Sequence, residues 1–202
     1  YIKFSDTLKI LRARGDAMQN AVPKGIGGMI AILGTSIKKI EDIMYSNKVN
    51  CNFQIANDNS EGQIVVSGKL KDLDILTGIL KSQNIRNIKL PVSAPFHCEL
   101  MSNATKIMRD QINKIEFNEG HNILMSNVTA DKVKDISVIK DLLIRQIENR
   151  VRWRESVVNM INKGVKNFIE IGPGKVLSGL IKRINRQVNV KSINSEEDIK
   201  NL

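Results

Sequence analysis

The segment "NFQIANDNSEGQIVVSG", residues 52–68 of a chain of 202 residues, has the clearest strand pattern in the sequence. Its two ends, "NFQIAND" and "GQIVVSG", carry apolar and β-branched residues, whereas "NDNSEG" between them is polar and closes with a glycine. This pattern predicts two strands joined by a polar turn. The elements on either side of this hairpin determine which fold it belongs to.

Two helices and two further strands are predicted around the hairpin, because apolar residues recur there at helical or strand spacing. They are the strand "GGMIAILG" (27–34), the helix "SIKKIEDIMYS" (36–46) with Ser36 as its cap, the helix "KLKDLDILTGILKSQ" (69–83) and the strand "IRNIKLPV" (85–92). Four apolar residues of the second helix are in register: Leu73, Leu76, Ile79 and Leu80. The resulting order, β-α-β-β-α-β, is the ferredoxin-like arrangement.

A helix is predicted before this unit, over residues 4–22, with Ser5 as a candidate cap. Its apolar stripe consists of Phe4, Leu8, Leu11, Met18 and Val22. Tyr1 stands almost directly against this helix, so we expect that an upstream portion of the protein is missing. We expect residues 25–93 to form a small domain inserted in a larger α/β domain. Residues 1–24 would supply one helix of that larger domain, and residues 94–202 its C-terminal part.

Residues 94–202 contain longer α/β units. The predicted elements are a helix over about 98–114, a strand "NILMSNVTA" (122–130), a helix "SVIKDLLIRQIENRV" (137–151), a helix "ESVVNMINKG" (155–164) and a strand, turn and helix "VKNFIEIGPGKVLSGLIKRI" (165–184). On the helix over 137–151, three residues lie near one face: Val138, Leu142 and Ile147. Together these elements predict an α/β fold class.

The composition excludes some functions and leaves others open. The net charge is +10, but the basic residues are scattered and aromatic residues make up only 4%. A single-strand nucleic-acid binder would need basic and stacking residues together, so nucleic acid is disfavoured as a partner. No apolar run is long enough to span a membrane, and no leader opens the chain. With Cys51 and Cys98 as the only cysteines, we expect reduced thiols and a cytoplasmic location.

His97 is one of only two histidines and follows a stiff loop, "PVSAPFHCELM" (91–101). The sequence predicts it at or near a helix N-terminus, where the macrodipole disfavours an imidazolium. A neutral imidazole is what a general base needs. The same position also suits a partly buried histidine that helps to start a helix. A metal site is the weakest of the three interpretations, because His121 is distant and Cys98 is adjacent rather than at a ligand spacing.

Two places could bind an anion. Arg14 lies close to the apolar stripe of the first helix, where a guanidinium could hold a substrate carboxylate by two hydrogen bonds. It could equally lie along the helix with its charged end in water. The turn "IEIGPGKVL" (169–177) offers amide groups at a helix N-terminus near Lys175. More often such a turn is only a connection between a strand and a helix.

A nucleophile for His97 is not evident in the chain. Cys98 is a poor candidate, because neighbours in sequence seldom face each other at a helix start. A serine in a nucleophile elbow would need G-x-S-x-G. No two glycines of this chain are four residues apart, so that motif is absent.

Five segments together resemble a known family. They are "RARGDAMQNAVPKGIGGMIAILG" (12–34), "NSEGQIVVSG" (59–68), "LPVSAPFHCELM" (90–101), "RQIENRVRWRESV" (145–157) and "FIEIGPGKVLSGLIKRI" (168–184). In this order, and over essentially the whole chain, they resemble the bacterial malonyl-CoA:acyl carrier protein transacylases of type II fatty-acid synthesis. The resemblance implies an α/β-hydrolase-like acyltransferase domain with an inserted ferredoxin-like domain.

The resemblance also implies roles for single residues. His97 matches the general base, Gln146 the residue whose backbone carbonyl orients it, and Arg14 the arginine that holds the malonyl carboxylate. Phe96 matches a bulky neighbour of the histidine that accompanies malonyl selectivity. Met18, Asn59 and Gln63 match positions that line the substrate pocket. No metal site is implied.

The implied activity is ping-pong transfer of malonyl from malonyl-CoA to the phosphopantetheine thiol of acyl carrier protein, through a serine ester and without a cofactor. The family's serine elbow and oxyanion hole correspond to residues upstream of Tyr1, so we expect the 202-residue chain to be inactive alone. The basic net charge suits an acidic carrier protein. Two alternatives remain: an inactive remnant that only binds carrier protein or a complementary fragment, and an acyltransferase with another acyl preference.

Overall fold

The computed structural model of the chain describes residues 1–46 and 53–200. Cys51, for which a reduced thiol is predicted, lies outside the described residues. The described part contains these helices and strands: α1 (Phe4–Gln19), β1 (Gly27–Leu33), α2 (Ile37–Ser46), β2 (Phe53–Ser60), β3 (Gln63–Lys69), α3 (Leu70–Ser82), β4 (Arg86–Lys89), α4 (Ser102–Asn113), β5 (Leu124–Met125), β6 (Lys132–Val133), α5 (Ile136–Arg145), α6 (Trp153–Asn162), β7 (Asn167–Ile171), α7 (Val176–Ile184), β8 (Asn189–Ile193) and α8 (Glu196–Lys200). None of these helices combines the length and the apolar content that crossing a lipid bilayer requires.

The hairpin over 53–69 forms one side of a four-stranded sheet with the order β2-β3-β1-β4. All three neighbouring pairs are antiparallel. The elements β1-α2-β2-β3-α3-β4 follow one another in the order predicted from the sequence. Ser36 caps α2, because its hydroxyl oxygen accepts the backbone N–H of Lys39 at 3.2 Å.

The turn of the hairpin is shorter than predicted. The sequence predicts a polar turn over 57–62, but β2 continues to Ser60 and β3 begins at Gln63. Gly62 provides the left-handed conformation that so tight a turn requires (φ 72°). The polar residues stay in the strand because Asp58 and Ser60 point into the protein, where both are buried. Two irregularities in the pairing with β3 accommodate them.

The sheet is covered on both faces, which explains why β1 is almost uniformly apolar. One face packs against α2 and α3 through a core of ten buried residues: Ile30, Ile32, Ile40, Ile43, Phe53, Ile64, Val66, Leu73, Leu76 and Leu80. The opposite face presents Met29, Ala31, Ala56 and Val65, against which Leu90 and Phe96 pack. The loop that carries His97 is therefore held on the second face of the sheet.

The apolar stripe predicted for α1 is wrong in its first half. Phe4, Leu8 and Leu11 are exposed, although Met18 and Val22 are buried. The packed face instead contains Ile10, Ala13 and Ala17, whose spacing of three and four residues forms one helical stripe against α4. The residue before the helix is Lys3, so Ser5 is not its cap.

The C-terminal part differs from the prediction in four elements. The strand predicted over 122–130 is reduced to the two residues of β5, and the helix predicted over 137–151 ends at Arg145, with Val138 exposed. The strand β8 and the short helix α8 have no counterpart in the sequence prediction. The strands β7 and β8 pair in parallel as a two-stranded sheet. One face of this sheet packs on α6 and α7.

Candidate active site

The loop before His97 is fixed by a close approach to β1. An atom added at the Cα of Gly27 would overlap the ring of Pro95, so only glycine allows this contact. Phe96 packs both on the second face of the sheet and on the core formed by α1 and α4. His97 itself has a φ of 60°, an uncommon conformation for a residue other than glycine. Its half-buried side chain is thus directed by a loop held on both sides.

The imidazole of His97 has one defined partner. Its Nδ1 lies 2.8 Å from the backbone carbonyl oxygen of Gln146, the residue that follows α5. A carbonyl oxygen can only accept, so Nδ1 carries the hydrogen and the neutral ring has its lone pair on Nε2. This is the tautomer that leaves Nε2 free to take a proton from a substrate or a nucleophile.

Burial lowers the pKa of His97 below its ordinary value, and the positive charge of Arg14 lowers it further. The hydrogen bond to the Gln146 carbonyl acts in the opposite direction, and so does the backbone of Asn149. His97 lies two residues before a 3-10 turn (Glu99–Met101) that continues directly into α4 at Ser102, so its predicted position near a helix start is confirmed. The neutral imidazole is favoured first by desolvation and then by the charge of Arg14.

We expect an NMR titration of the His97 ring to give a pKa below 6.5, the ordinary value. The folded chain then binds this proton less tightly than the unfolded chain. The contribution of His97 to the free energy of unfolding is therefore complete above about pH 6.5. It is lost as the pH falls from there through the lower pKa of the folded state. Replacing His121 by Gln assigns the two ring signals. A His97 pKa at or above 6.5 would contradict this account of the site.

The charge of Arg14 acts on this imidazole, and Arg14 has no counter-ion among the described residues. It is half-buried on α1, and burial lowers the pKa of its guanidinium. Across residues 1–46 and 53–200, it has no hydrogen bond or ion pair with another side chain. Arg12, two residues earlier on the same helix, is exposed and pairs with Asp16 at 3.0 Å. A desolvated, unpaired guanidinium is costly unless an anion arrives, so Arg14 suits a ligand carboxylate.

A cavity of about 460 Å³ opens beside His97. Its walls come from α2, from β2 and from the segment after α5: Glu41, Met44, Tyr45, Gln54, Ile55, His97, Glu148, Asn149 and Arg150. Arg14 and Gln146 line a second, mainly apolar cavity of about 150 Å³ between α1, α4 and α5. The Gln146 position therefore borders one cavity, and its partner His97 borders the other.

The remaining residues predicted for the substrate pocket lie elsewhere. Met18 is buried in the core between α1 and α4. Asn59 is four residues beyond Ile55 in β2, which is about 13 Å along the strand. Gln63 is at the start of β3, where its side chain accepts a hydrogen bond from Arg183 of α7. The structure does not bring Asn59 or Gln63 to the cavity beside His97, and a role for them in the pocket stays a prediction.

Two other candidates from the sequence are accounted for by contacts within the chain. Cys98 is buried, its thiol donates to the Pro95 carbonyl at 3.1 Å, and burial raises its pKa. A thiol of this kind is a weak nucleophile. The helix N-terminus after "IEIGPGK" is filled by Glu170, whose carboxylate accepts the N–H groups of Leu177 and Ser178 at 3.0 and 2.8 Å. An external anion would have to displace that carboxylate.

Sequence reasoning missed the residues that support Gln146. The Gln146 amide donates to the side-chain oxygen of Asn127 at 2.6 Å, and the Asn127 carbonyl accepts the N–H of Arg152 at 3.0 Å. Asp58, interpreted from the sequence as part of a turn, forms a buried ion pair with Arg154. The three arginines of "RVRWRES" were a visible signal, but their partners are distant in sequence, so the sequence did not indicate what they contact.

Comparison with known proteins identifies relatives of nearly the whole chain. A malonyl CoA-acyl carrier protein transacylase from Bacillus subtilis is 38% identical over 200 residues, which cover 98% of this chain and 63% of the relative. One from Staphylococcus aureus is 40% identical over 201 residues, covering 98% and 65%. The chain thus spans less than two thirds of the length of these curated relatives. No protein-family model matches it.

Solved structures give the same result. A malonyl CoA-acyl carrier protein transacylase from Clostridium perfringens superposes with a TM-score of 0.94 at 40% identity, over 99% of this chain and 63% of that one. A type II PKS acyl-carrier protein in complex with its malonyl-transacylase gives a TM-score of 0.92 at 32% identity, over 98% and 65%. The resemblance predicted from the sequence is confirmed, and the chain shares the α/β fold of these acyltransferase structures.

Proposed function

Since the chain is a homologue of the malonyl CoA-acyl carrier protein transacylases over almost its whole length, we propose that it carries the general base and the carboxylate-binding arginine of such an enzyme. The complete enzyme would transfer malonyl from malonyl-CoA to the phosphopantetheine thiol of an acyl carrier protein in the cytoplasm. The observation that carries the proposal is the pairing of His97 with the Gln146 carbonyl at 2.8 Å, beside the unpaired Arg14.

In the proposed mechanism His97 Nε2 takes the proton of a serine hydroxyl as its oxygen attacks the malonyl thioester. The imidazolium is stabilised by the Gln146 carbonyl at Nδ1, and it returns the proton to the departing CoA thiolate. The carrier protein's thiol then attacks the malonyl ester, again with Nε2 as base, and the serine regains its proton. No step of this sequence requires a metal or an organic cofactor.

Arg14 would hold the free carboxylate of the malonyl group during both half-reactions. Its guanidinium is desolvated and has no competing carboxylate among the described residues, so a substrate anion would be its first ion-pair partner. Because its charge also lowers the pKa of His97, a bound carboxylate would relieve that effect and make the imidazole more basic. Binding a malonyl rather than an acetyl group would thus favour proton transfer as well as position.

The cavity beside His97 is the place we propose for the thioester end of either substrate. It combines apolar side chains, Met44 and Ile55, with polar groups that an amide-containing arm could use, Gln54 and Asn149. The acyl-carrier protein complex among the structural relatives supports a carrier protein as the partner. The net charge of +10 suits an acidic partner of this kind.

We further propose that the nucleophile and the oxyanion donors come from polypeptide outside these 202 residues. No G-x-S-x-G occurs in the chain. Parallel sheets are normally covered on both faces, yet β7 leaves Ile169 and Ile171 exposed. Phe4 and Leu8 of α1 are exposed as well. These apolar surfaces support a division in which residues 25–93 are an inserted ferredoxin-like domain, while residues 1–24 and 94–202 belong to an α/β-hydrolase-like domain with further elements.

The proposed function is tested by the acyl preference of an Arg14→Ala variant in a hybrid enzyme. The hybrid joins the unmatched N-terminal part of the Clostridium perfringens relative to Tyr1 of this chain. We expect malonyl transfer to fall by about two orders of magnitude, the usual cost of removing one partner of a desolvated charge pair. Acetyl transfer should be unchanged or improved, since acetyl has no carboxylate to lose.

The matched control is Arg12→Ala, which removes an exposed arginine from the same helix. It should leave both acyl groups unaffected. If Arg14→Ala reduces malonyl and acetyl transfer equally, Arg14 has a structural role and the proposed carboxylate contact is wrong. Transfer of acetyl in preference to malonyl by the unmodified hybrid would instead indicate an acyltransferase of another specificity.

A further inference from the structure

The segment that holds His97 is itself attached to the small sheet. We name residues 146–154, between the Gln146 carbonyl and the first turn of α6, the strap. At its middle, the Val151 N–H donates to the Ala56 carbonyl at 2.7 Å, and the Val151 carbonyl accepts the N–H of Asp58 at 3.0 Å. Because β2 is an edge strand, Val151 extends the sheet in parallel by a single bridge. The strap therefore connects His97 to the edge of β2.

A buried ion pair fixes the strap at its end. Both carboxylate oxygens of Asp58 accept from Arg154 Nε at 3.0 Å, and Arg154 Nη2 lies 2.9 Å from Oδ2. The Asp58 side chain is 1% exposed, whereas the Arg145–Asp141 pair near the other end of the strap is about half exposed on both sides. Burying a carboxylate is costly, so such a pair adds little net stability and can instead serve to fix geometry.

The Asp58–Arg154 pair also restricts the position of the residues around His97. Only four residues separate Gln146, whose carbonyl holds His97, from Val151, so the strap has little slack between these two attachments. The strap and β2 also both line the cavity beside His97, through Asn149 and Ile55 respectively. Joining Asp58 of β2 to Arg154 of the strap thus fixes the two walls relative to each other.

We propose that Asp58 and Arg154 are positioning residues that hold the Gln146 carbonyl against His97 Nδ1 and so keep the imidazole in the Nδ1–H tautomer. As far as His97 is a general base, this inference rests on the proposed function. The pair acts through the strap: it anchors residues 151–154 to β2, and Asn127 anchors the strap to the loop between β5 and β6. Loss of the pair leaves the strap held by Asn127, by the two backbone hydrogen bonds of Val151 and by the Arg150–Glu41 ion pair, so the carbonyl gains freedom to move from the ring without being released.

The experiment is ¹⁵N NMR of the His97 ring in the 202-residue chain, which reports the tautomer without any activity. In the parent we expect the Nδ1–H form to dominate. In Asp58→Asn, which removes the carboxylate charge but keeps the side-chain size, we expect a mixture of tautomers. Exchange of the Nδ1 hydrogen should become about tenfold faster, the effect of losing about one net hydrogen bond. Arg154→Lys, which keeps the charge but cannot bind both oxygens, should lie between the two.

Asp141→Asn is the matched control, because it breaks an exposed ion pair with Arg145, next to Gln146. It should leave the His97 ring signals unchanged. The proposal is overturned if folded Asp58→Asn and Arg154→Lys both retain the parent's tautomer and exchange rate. Should Asp58→Asn fail to fold, Arg154→Lys decides alone. Failure of the proposed acyl transfer would be seen only in the hybrid enzyme, so the two outcomes are distinguishable.

Discussion

The 202-residue chain alone is expected to show no malonyl transfer above background, whereas the hybrid with the N-terminal part of the Clostridium perfringens relative is expected to turn over. The chain carries the proposed base and the proposed anion site but no G-x-S-x-G motif, and removing a nucleophile from an acyl-transfer site costs on the order of 10⁶-fold in rate. The measurement is transfer of labelled malonyl from malonyl-CoA to holo acyl carrier protein, by each protein at equal concentration.

The control for this prediction is the hybrid in which the serine of the relative's elbow is replaced by alanine, which should be as inactive as the 202-residue chain. Robust turnover by the chain alone would refute the view that the nucleophile lies outside it, and buried Cys98 would have to be reconsidered. A folded but inactive hybrid, measured beside an active relative, would favour an inactive remnant that only binds carrier protein.

Replacement of His97 by alanine in the hybrid is expected to slow acylation by about two to four orders of magnitude, the usual contribution of a positioned general base. The parent's rate should decline on the acidic side as Nε2 becomes protonated, at a pH below the ordinary histidine pKa of 6.5. His97→Ala should lose this acidic limb. The measurement is the pre-steady-state acylation rate between pH 4 and pH 9.

The matched control is His121→Ala, which removes the other histidine of the chain, an exposed residue. It should change neither the acylation rate nor its pH profile. The loss of stability in His97→Ala should be about that of one hydrogen bond, roughly 0.5–1.5 kcal/mol, because the ring is only half-buried. If the variant melts far below the parent while its folded fraction acylates at nearly the parent rate, His97 is a packing residue.

The order of the elements around the hairpin could be predicted from the sequence because its causes are local. The periodicity of Leu73, Leu76 and Leu80 defines the buried face of α3, and Ser36 caps α2 through a residue three positions on. His97 stood out because histidine is rare in this chain and because this histidine follows two prolines. Its assignment as a base, and that of Arg14 as an anion site, came from the resemblance rather than from spacing.

Other properties depend on partners far along the chain, and the local pattern was silent or misleading about them. The helical periodicity predicted Phe4, Leu8 and Leu11 on the buried face of α1. The face that is buried instead depends on packing against α4, nearly a hundred residues later. Polar Asp58 suggested a turn, because nothing near it indicates that Arg154 neutralises it inside the protein.

The residue pattern alone was thus enough to predict the α/β class, the β-α-β-β-α-β order, the family resemblance and the candidate residues. What those residues can do depends on contacts that form only in the folded chain. The tautomer of His97 is set by a carbonyl 49 positions away, its pKa is lowered by burial and by Arg14, and the helix end offered as an anion site is occupied by Glu170. Hydrogen bonding and desolvation depend on which groups meet in space, and local residue patterns carry little information about contacts between distant segments.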